Sequence, residues 1–406
     1  MIDVTLDSRG NSMSLNNTPS AERVHIGIFG KRNAGKSSII NAITGQNLAI
    51  VSDIKGTTTD PVLKAMELLP VGPVVIIDTP GLDDEGELGV LRIQKAYQML
   101  NKTDIAVLVV DSTTGMTNED EQILEKIKAK GIPYLIVMNK ADIATVSEVK
   151  SEHVIPVSAK TGEHIQELKE LLAKRAKKEE TDKKIVGDLL SPMDLVILVV
   201  PIDGAAPKGR LILPQQQTIR DILDANAVSI VVKDTELKDT LAKLGSQPKM
   251  VITDSQVFGK VARLVPKEIP LTSFSILFAR YKGNLEMVVN GAHKLDDLQD
   301  GDKILISEGC THHRQCDDIG TVKLPRWIRE YTQKELDFEW TSGTEFKTDL
   351  SKYSLIIHCG GCMLNEREMK YRLKCAQDMG IPMTNYGTAI AHIKGILDRS
   401  TEIFDI

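Results

Sequence analysis

The stretch 24–38 admits few folds. Val24-His25-Ile26-Gly27-Ile28-Phe29 is an apolar run that reads as a buried strand, and it enters Gly30-Lys31-Arg32-Asn33-Ala34-Gly35-Lys36-Ser37-Ser38, a G-x-x-x-x-G-K-S pattern. A strand, a glycine-rich loop and a helix in this order turn backbone N–H groups around an anion, so the context predicts an α/β fold with a phosphate-binding loop. Gly30, Ala34, Gly35 and Ser38 belong to that cradle, Lys36 is placed to reach terminal phosphates, and the Ser37 hydroxyl is placed to ligate magnesium.

Four later segments specify the nucleotide. Val74-Val75-Ile76-Ile77 precedes Asp78-Thr79-Pro80-Gly81, where Asp78 is expected to hold magnesium through water and the Gly81 amide to sense the terminal phosphate. Asn139-Lys140-Ala141-Asp142 is an N-K-x-D arrangement: the Asp142 carboxylate accepts from both N–H groups of a guanine edge, where adenine has the opposite polarity. Ser158-Ala159-Lys160 supplies a base-closing loop, and Gly56-Thr57-Thr58-Thr59-Asp60 a switch segment in which Thr58, with Thr57 as the alternative, completes the magnesium shell. From about Arg23 to Ala173 the chain resembles a translation-factor-class small GTPase, which implies GTP and magnesium. Leu82 stands where Ras-like proteins carry a water-orienting glutamine, so unaided turnover is expected to be slow. Asn33 resembles the residue that coordinates potassium in tRNA-modification, ferrous-iron transport and ribosome-assembly GTPases; the alternative is that it only shapes the loop. Lys36, Thr58, Asp78, Gly81 and Asn33 are the expected catalytic set.

The chain of 406 residues is too long for one ordinary core. A mixed-charge run over 174–184 marks a linker. Beyond it, strand-like and helix-like stretches alternate: strand 196–200, helix 215–226, strand 229–232, helix 235–244, strand 250–253. The expectation is α/β throughout: a P-loop GTPase domain followed by two smaller α/β domains with mostly parallel sheets. The boundaries read as a disordered tail 1–22, a GTP-binding domain 23–175, a linker 176–184, a dimerisation domain 185–270 and a metal-binding domain 271–406. A net charge of −6 and a pI near 5.8 argue against broad nucleic-acid or membrane-surface binding. No apolar run approaches a membrane span, and the odd, clustered thiols suit a reducing cytoplasm.

The chain has 5 cysteines and 8 histidines, yet four of the former and three of the latter lie between Cys310 and Cys362. Asp302-Lys303-Ile304-Leu305-Ile306-Ser307 reads as a strand leading into Glu308-Gly309-Cys310-Thr311-His312-His313. Leu355-Ile356-Ile357 reads as another, leading into His358-Cys359-Gly360-Gly361-Cys362. Two strands delivering ligands to their C-terminal ends suit a site on an open parallel sheet.

GTPase motifs followed by C-x-H and H-C-x-x-C at this separation resemble the iron-iron hydrogenase maturation GTPases, the HydF family, from about Arg23 onward. The resemblance implies that Cys310, Cys359 and Cys362 bind a 4Fe-4S cluster. It also implies that the protein is a homodimeric scaffold, taking a diiron precursor from two radical-SAM maturases and passing it to apo FeFe-hydrogenase. Three thiolates leave one iron with an exchangeable position, for which Glu308, His312 and His358 are candidates, each histidine being alternatively an outer hydrogen-bond donor. Cys316 and Cys375 are read as free and as core, respectively. A three-cysteine, one-histidine zinc site remains the alternative for the metal, and an RNA-linked GTPase with such a zinc site the alternative for the whole chain.

Overall fold

A computed structural model describes residues 20–45, 61–81, 93, 95–144, 151–176, 183–202, 211–309, 319–343, 346, 347, 349–361 and 364–404. The chain divides into two compact units, Met1–Thr181 and Asp182–Ile406.

The first unit is built on a six-stranded sheet ordered β2-β3-β1-β4-β5-β6, with β1 Val24–Phe29, β2 Val62–Leu68, β3 Gly72–Asp78, β4 Ile105–Asp111, β5 Tyr134–Asn139 and β6 Val154–Pro156. Only the β2–β3 pair is antiparallel. Side chains alternate across a strand, and both faces here are covered, so β4 is apolar at every position from Ile105 to Val110 and turns polar only at its last residue, Asp111. Ile105, Val107 and Val109 pack into one core with Ile39 and Leu168. Ala106, Leu108 and Val110 pack into the other, with Ile123 and Ile127.

The second unit holds two four-stranded sheets whose strands all pair in parallel. The first has order β10-β9-β7-β8, from β7 Leu195–Val199, β8 Val228–Val232, β9 Met250–Thr253 and β10 Leu271–Ser273. The second has order β12-β11-β13-β14, from β11 Lys303–Glu308, β12 Asp337–Ser342, β13 Leu355–His358 and β14 Met383–Asn385. Strands and helices therefore alternate along the chain through all three sheets, as the alternation of apolar runs and amphipathic stretches predicts. Leu305 and Ile356 of the second sheet enter the same core as Ile197 and Val251 of the first, while Ile304, Ile306, Leu355 and Ile357 face a separate core. Each such fully buried aliphatic side chain stabilises the fold by roughly 1.5–3 kcal/mol.

Strands β10 and β14 pass into helices without a loop, because a polar side chain at each junction caps the helix. Ser273 Oγ accepts from the Ile276 amide, and Asn385 Oδ1 accepts from the Thr388 amide at 2.8 Å. The helix read over 389–397 is instead Tyr386–Ile393. It ends before Gly395, whose φ of +66° breaks the helical path, and a short helix Leu397–Thr401 follows.

Candidate nucleotide site and metal centre

The phosphate loop joins β1 to the helix Lys36–Thr44 and depends on two close approaches. A Cβ at Gly30 (φ +141°) would lie 2.3 Å from the Val109 carbonyl oxygen, and one at Gly35 (φ +95°) would lie 2.1 Å from Asn139 Nδ2. Asn33 adopts a left-handed φ of +58°, which asparagine tolerates better than most residues. Lys36 Nζ lies across the loop, donating to the carbonyls of Gly30 at 2.8 Å and Lys31 at 2.7 Å. Ser37 and Ser38 occupy the first helical turn.

Asn139 ties the separate motifs together. Its Nδ2 donates to the Ala34 carbonyl at 2.9 Å, and its Oδ1 accepts from the Ala159 amide at 3.1 Å, so one buried amide joins the phosphate loop to the base loop. Asp142 Oδ1 accepts from Ser158 Oγ at 2.8 Å, which orients the expected guanine-reading carboxylate. Lys140 donates to Asp111 Oδ2 at 2.5 Å, while Lys160 lies exposed. Burial pushes the Asp111 carboxyl up, but hydrogen bonds from Lys140 and Thr113 outweigh it and hold the group below its ordinary value. Asp78 ends β3, and Thr79 Oγ1 donates to the Ile28 carbonyl at 2.6 Å, fixing the D-T-P-G turn against β1; Gly81 is buried beside it. Burial raises the Asp78 carboxyl above the usual range, opposed by the charges of Lys36 and Lys64. A partly desolvated carboxylate facing an ammonium suits a place that a divalent cation completes. The expected switch residues Thr57 and Thr58, and Leu82, lie outside the described residues.

At the second site, β11 and β13 are parallel neighbours with Ser307 opposite His358. Their C-terminal ends therefore emerge side by side. The Cys359 amide donates to the Ser307 carbonyl at 2.9 Å, and the Gly309 amide donates to Cys359 Sγ at 3.0 Å. Gly309 is the residue before Cys310, and Gly361 the residue before Cys362. Cys310, Cys362, His312, His313 and Cys316 themselves lie outside the described residues. Gly361 has φ +62°, and a Cβ there would lie 2.6 Å from Met369 Sδ. An N–H bond to a cysteine sulfur favours the thiolate, the form that ligates metal.

Both candidate oxygen and nitrogen donors among the described residues are engaged. Glu308 Oε1 accepts from Tyr386 Oη at 3.1 Å, and the residue is buried. His358 is buried, with Nδ1 at 2.6 Å from the Cys359 carbonyl and Nε2 at 3.0 Å from Arg372 Nη1. A guanidinium only donates, so Nε2 accepts and Nδ1 carries the proton. Burial, with the neighbouring Arg372 charge, lowers the His358 pKa to about 3, leaving a neutral ring. With both nitrogens held, this imidazole orients the Cys359 backbone, and ligation by His358 would require it to release one partner.

Arg372 is absent from the ligand pattern of the sequence, yet it organises this end of the sheet. It is 0% exposed and donates to Ser307 Oγ (3.1 Å), Gly343 O (2.8 Å) and Glu368 Oε1 (2.9 Å from both Nε and Nη2) besides His358. Its only signal in sequence is a Glu-x-x-x-Arg spacing, which the exposed Lys374–Asp378 pair on the same helix, Glu366–Asp378, shares with opposite polarity.

Comparison with known proteins separates the parts of the chain. Residues 25–140 match the 50S ribosome-binding GTPase family, 185–283 the hydrogen maturase F dimerization domain and 286–403 the hydrogen maturase F tetramerization domain. The tRNA modification GTPase MnmE of Chromobacterium violaceum is 37% identical over 153 residues, covering 36% of this chain and 34% of that protein. GTPase Der of Kosmotoga olearia is 33% identical over 144 residues, covering 34% of this chain and 32% of that protein. The chain thus spans about a third of the length of these curated relatives. A crystal structure of Era with MgGDPNP and a segment of 16S ribosomal RNA aligns at TM-score 0.35 and 21% identity, over 52% of this chain and 91% of that one. The GTPase part is shared widely, whereas the two domains behind it carry the assignment: the chain belongs to the hydrogen maturase F (HydF) family of hydrogenase-maturation GTPases.

Proposed function

We propose that this protein hydrolyses GTP and uses a thiolate-held iron-sulfur site to carry the diiron precursor of the FeFe-hydrogenase active site to the apo-enzyme. The observation that carries the reading is the Gly309 N–H to Cys359 Sγ bond, which sets the two ligand-bearing segments, 52 residues apart from Cys310 to Cys362, against one another.

In hydrolysis a water attacks the γ-phosphorus, the bond to the β-phosphate oxygen breaks, and GDP and phosphate leave. Lys36 offsets charge developing on the phosphates, Ser37, Asp78 and Thr58 would hold magnesium, and Asn33 would hold a potassium ion that adds positive charge beside the leaving group. Asn139, Asp142, Ser158 and Ala159 close on guanine. Cys310, Cys359 and Cys362 would hold a 4Fe-4S cluster, which when bound supplies an iron with an exchangeable position. Glu308 at the end of β11, held by Tyr386, and His358, held by the Cys359 carbonyl and Arg372, are the candidates for that position, each of which would release a partner to ligate. Residues 185–270 would pair two copies, with two radical-SAM maturases and apo FeFe-hydrogenase as partners in a reducing cytoplasm. Among the described residues no helix is long and apolar enough to cross a membrane.

The test is anaerobic iron and sulfide reconstitution of wild type and Cys359→Ser, followed by activation of apo-hydrogenase. The variant should lose thiolate-to-iron absorption and activation while keeping GTP turnover, and turnover should rise in potassium over sodium unless Asn33 is replaced by alanine. Stoichiometric zinc without iron absorption in an anaerobic wild-type sample would overturn the carrier reading, and equal rates in the two salts the potassium one.

A further inference from the structure

A second cluster of metal-binding side chains lies outside the cysteine motif. The helix Leu285–His293 ends on His293, the following turn Lys294–Asp297 presents Asp296, and the helix Tyr386–Ile393 brings His392 beside them. One ligand atom from each of the three lies within 4.8 Å of the others. His392 Nε2 is 3.0 Å from both Asp296 oxygens, and the two imidazoles meet edge to face with centroids 5.1 Å apart. Tyr331 Oη donates to Asp296 Oδ1 at 2.6 Å and lies 3.3 Å from His392 Nε2.

From this convergence the geometry points to a binding site for a divalent first-row transition ion of the zinc class, with His293, Asp296 and His392 as ligands and Tyr331 orienting the carboxylate. Bonds of about 2.0–2.2 Å to such an ion place neighbouring donors roughly 3.2–3.6 Å apart. The Asp296–His392 pair needs to open by only a few tenths of an ångström. His293 is exposed, so its side chain can swing inward without disturbing a core.

The donor chemistry selects the ion class. Two imidazoles and one carboxylate suit zinc or a neighbouring borderline ion, whereas calcium and magnesium prefer all-oxygen shells. Three donors leave a position for water. The Tyr331 bond is the outer contact that commonly fixes a ligating carboxylate. No cysteine takes part, so the site does not depend on the cluster reading.

Cobalt and zinc titrations of the full chain, stripped of metal under reducing conditions, test the proposal. Cobalt at His293, Asp296 and His392 gives visible ligand-field bands with no sulfur-to-cobalt charge transfer, unlike cobalt on thiolates. His293→Ala should remove one equivalent of tight zinc and those bands while leaving any thiolate charge-transfer signal and GTP turnover unchanged. Tyr331→Phe should weaken this equivalent by about 10-fold, at the low end of outer-contact effects. Because His293 is exposed, its replacement does not threaten folding even if His392→Ala does. Zinc stoichiometry equal in wild type and His293→Ala would overturn the site and leave Asp296 and His392 as a plain hydrogen-bonded pair.

Discussion

Replacing Arg372 with alanine isolates what holds the C-terminal ends of β11 and β13 together. The guanidinium is fully buried and donates to Glu368, Ser307, Gly343 and His358, so its loss leaves a carboxylate with 3% exposure deprived of its charge partner. Breaking a buried ion pair from one side costs about 3–5 kcal/mol, because the remaining charge stays desolvated. For a unit of more than two hundred residues, each kcal/mol shifts Tm by about 2–4 °C, so the expected drop is roughly 6–20 °C. Both tryptophans, Trp327 and Trp340, belong to the same unit as Arg372, so tryptophan fluorescence on heating reports that unit. Arg372→Met combined with Glu368→Leu should recover at least about half of the loss, since no uncompensated charge remains. A single-variant shift below about 2 °C, or no recovery in the double variant, would refute the view that this ion pair supports the site.

Three further outcomes follow from local geometry. Gly35→Ala, strained by its left-handed φ and by collision with Asn139, should weaken GDP binding by at least about 30-fold, corresponding to roughly 2 kcal/mol of left-handed backbone cost; a fluorescent GDP analogue measures it, and unchanged affinity would contradict the cradle. Gly361→Ala should lower iron retained per chain and destabilise the second unit by about 1–2 kcal/mol, with Met369→Ala relieving the side-chain collision but not the φ strain; iron assay and urea midpoints read both. Hydrogen bonds from Lys352 and Tyr353 lower the Glu339 pKa to about 2, so the stability it contributes is present above its unfolded value near 4.5 and is lost as pH falls toward 2. Glu339→Gln should accordingly flatten the urea midpoint against pH across that window, and an unchanged slope would exclude the linkage.

The nucleotide site was legible because its chemistry is written in contiguous motifs. A loop that must let a phosphate approach its backbone needs glycine at Gly30 and Gly35, and the carboxylate proposed to read guanine sits a fixed three residues from Asn139. The two apolar runs that lead into the Cys- and His-bearing segments were legible as strands too, and they pair in parallel. Asn139 was assigned to the nucleotide, but its bridge from Ala34 to Ala159 spans 105 residues in one direction and 20 in the other, and no local pattern encodes it.

Sequence alone therefore determined the α/β class and the order of the GTPase motifs, and it supplies the cysteines proposed as thiolate donors, because these depend on residue type at short spacing. Tertiary structure decided the rest. The register that puts Ser307 opposite His358 brings the Gly309 amide to Cys359, and the same packing buries Arg372 while leaving Lys374 in solvent on one helix. It also gathers His293, Asp296 and His392 across almost a hundred residues. Such meetings are set by which faces the sheets bury, and burial is a property of the folded whole that no short stretch of chain specifies.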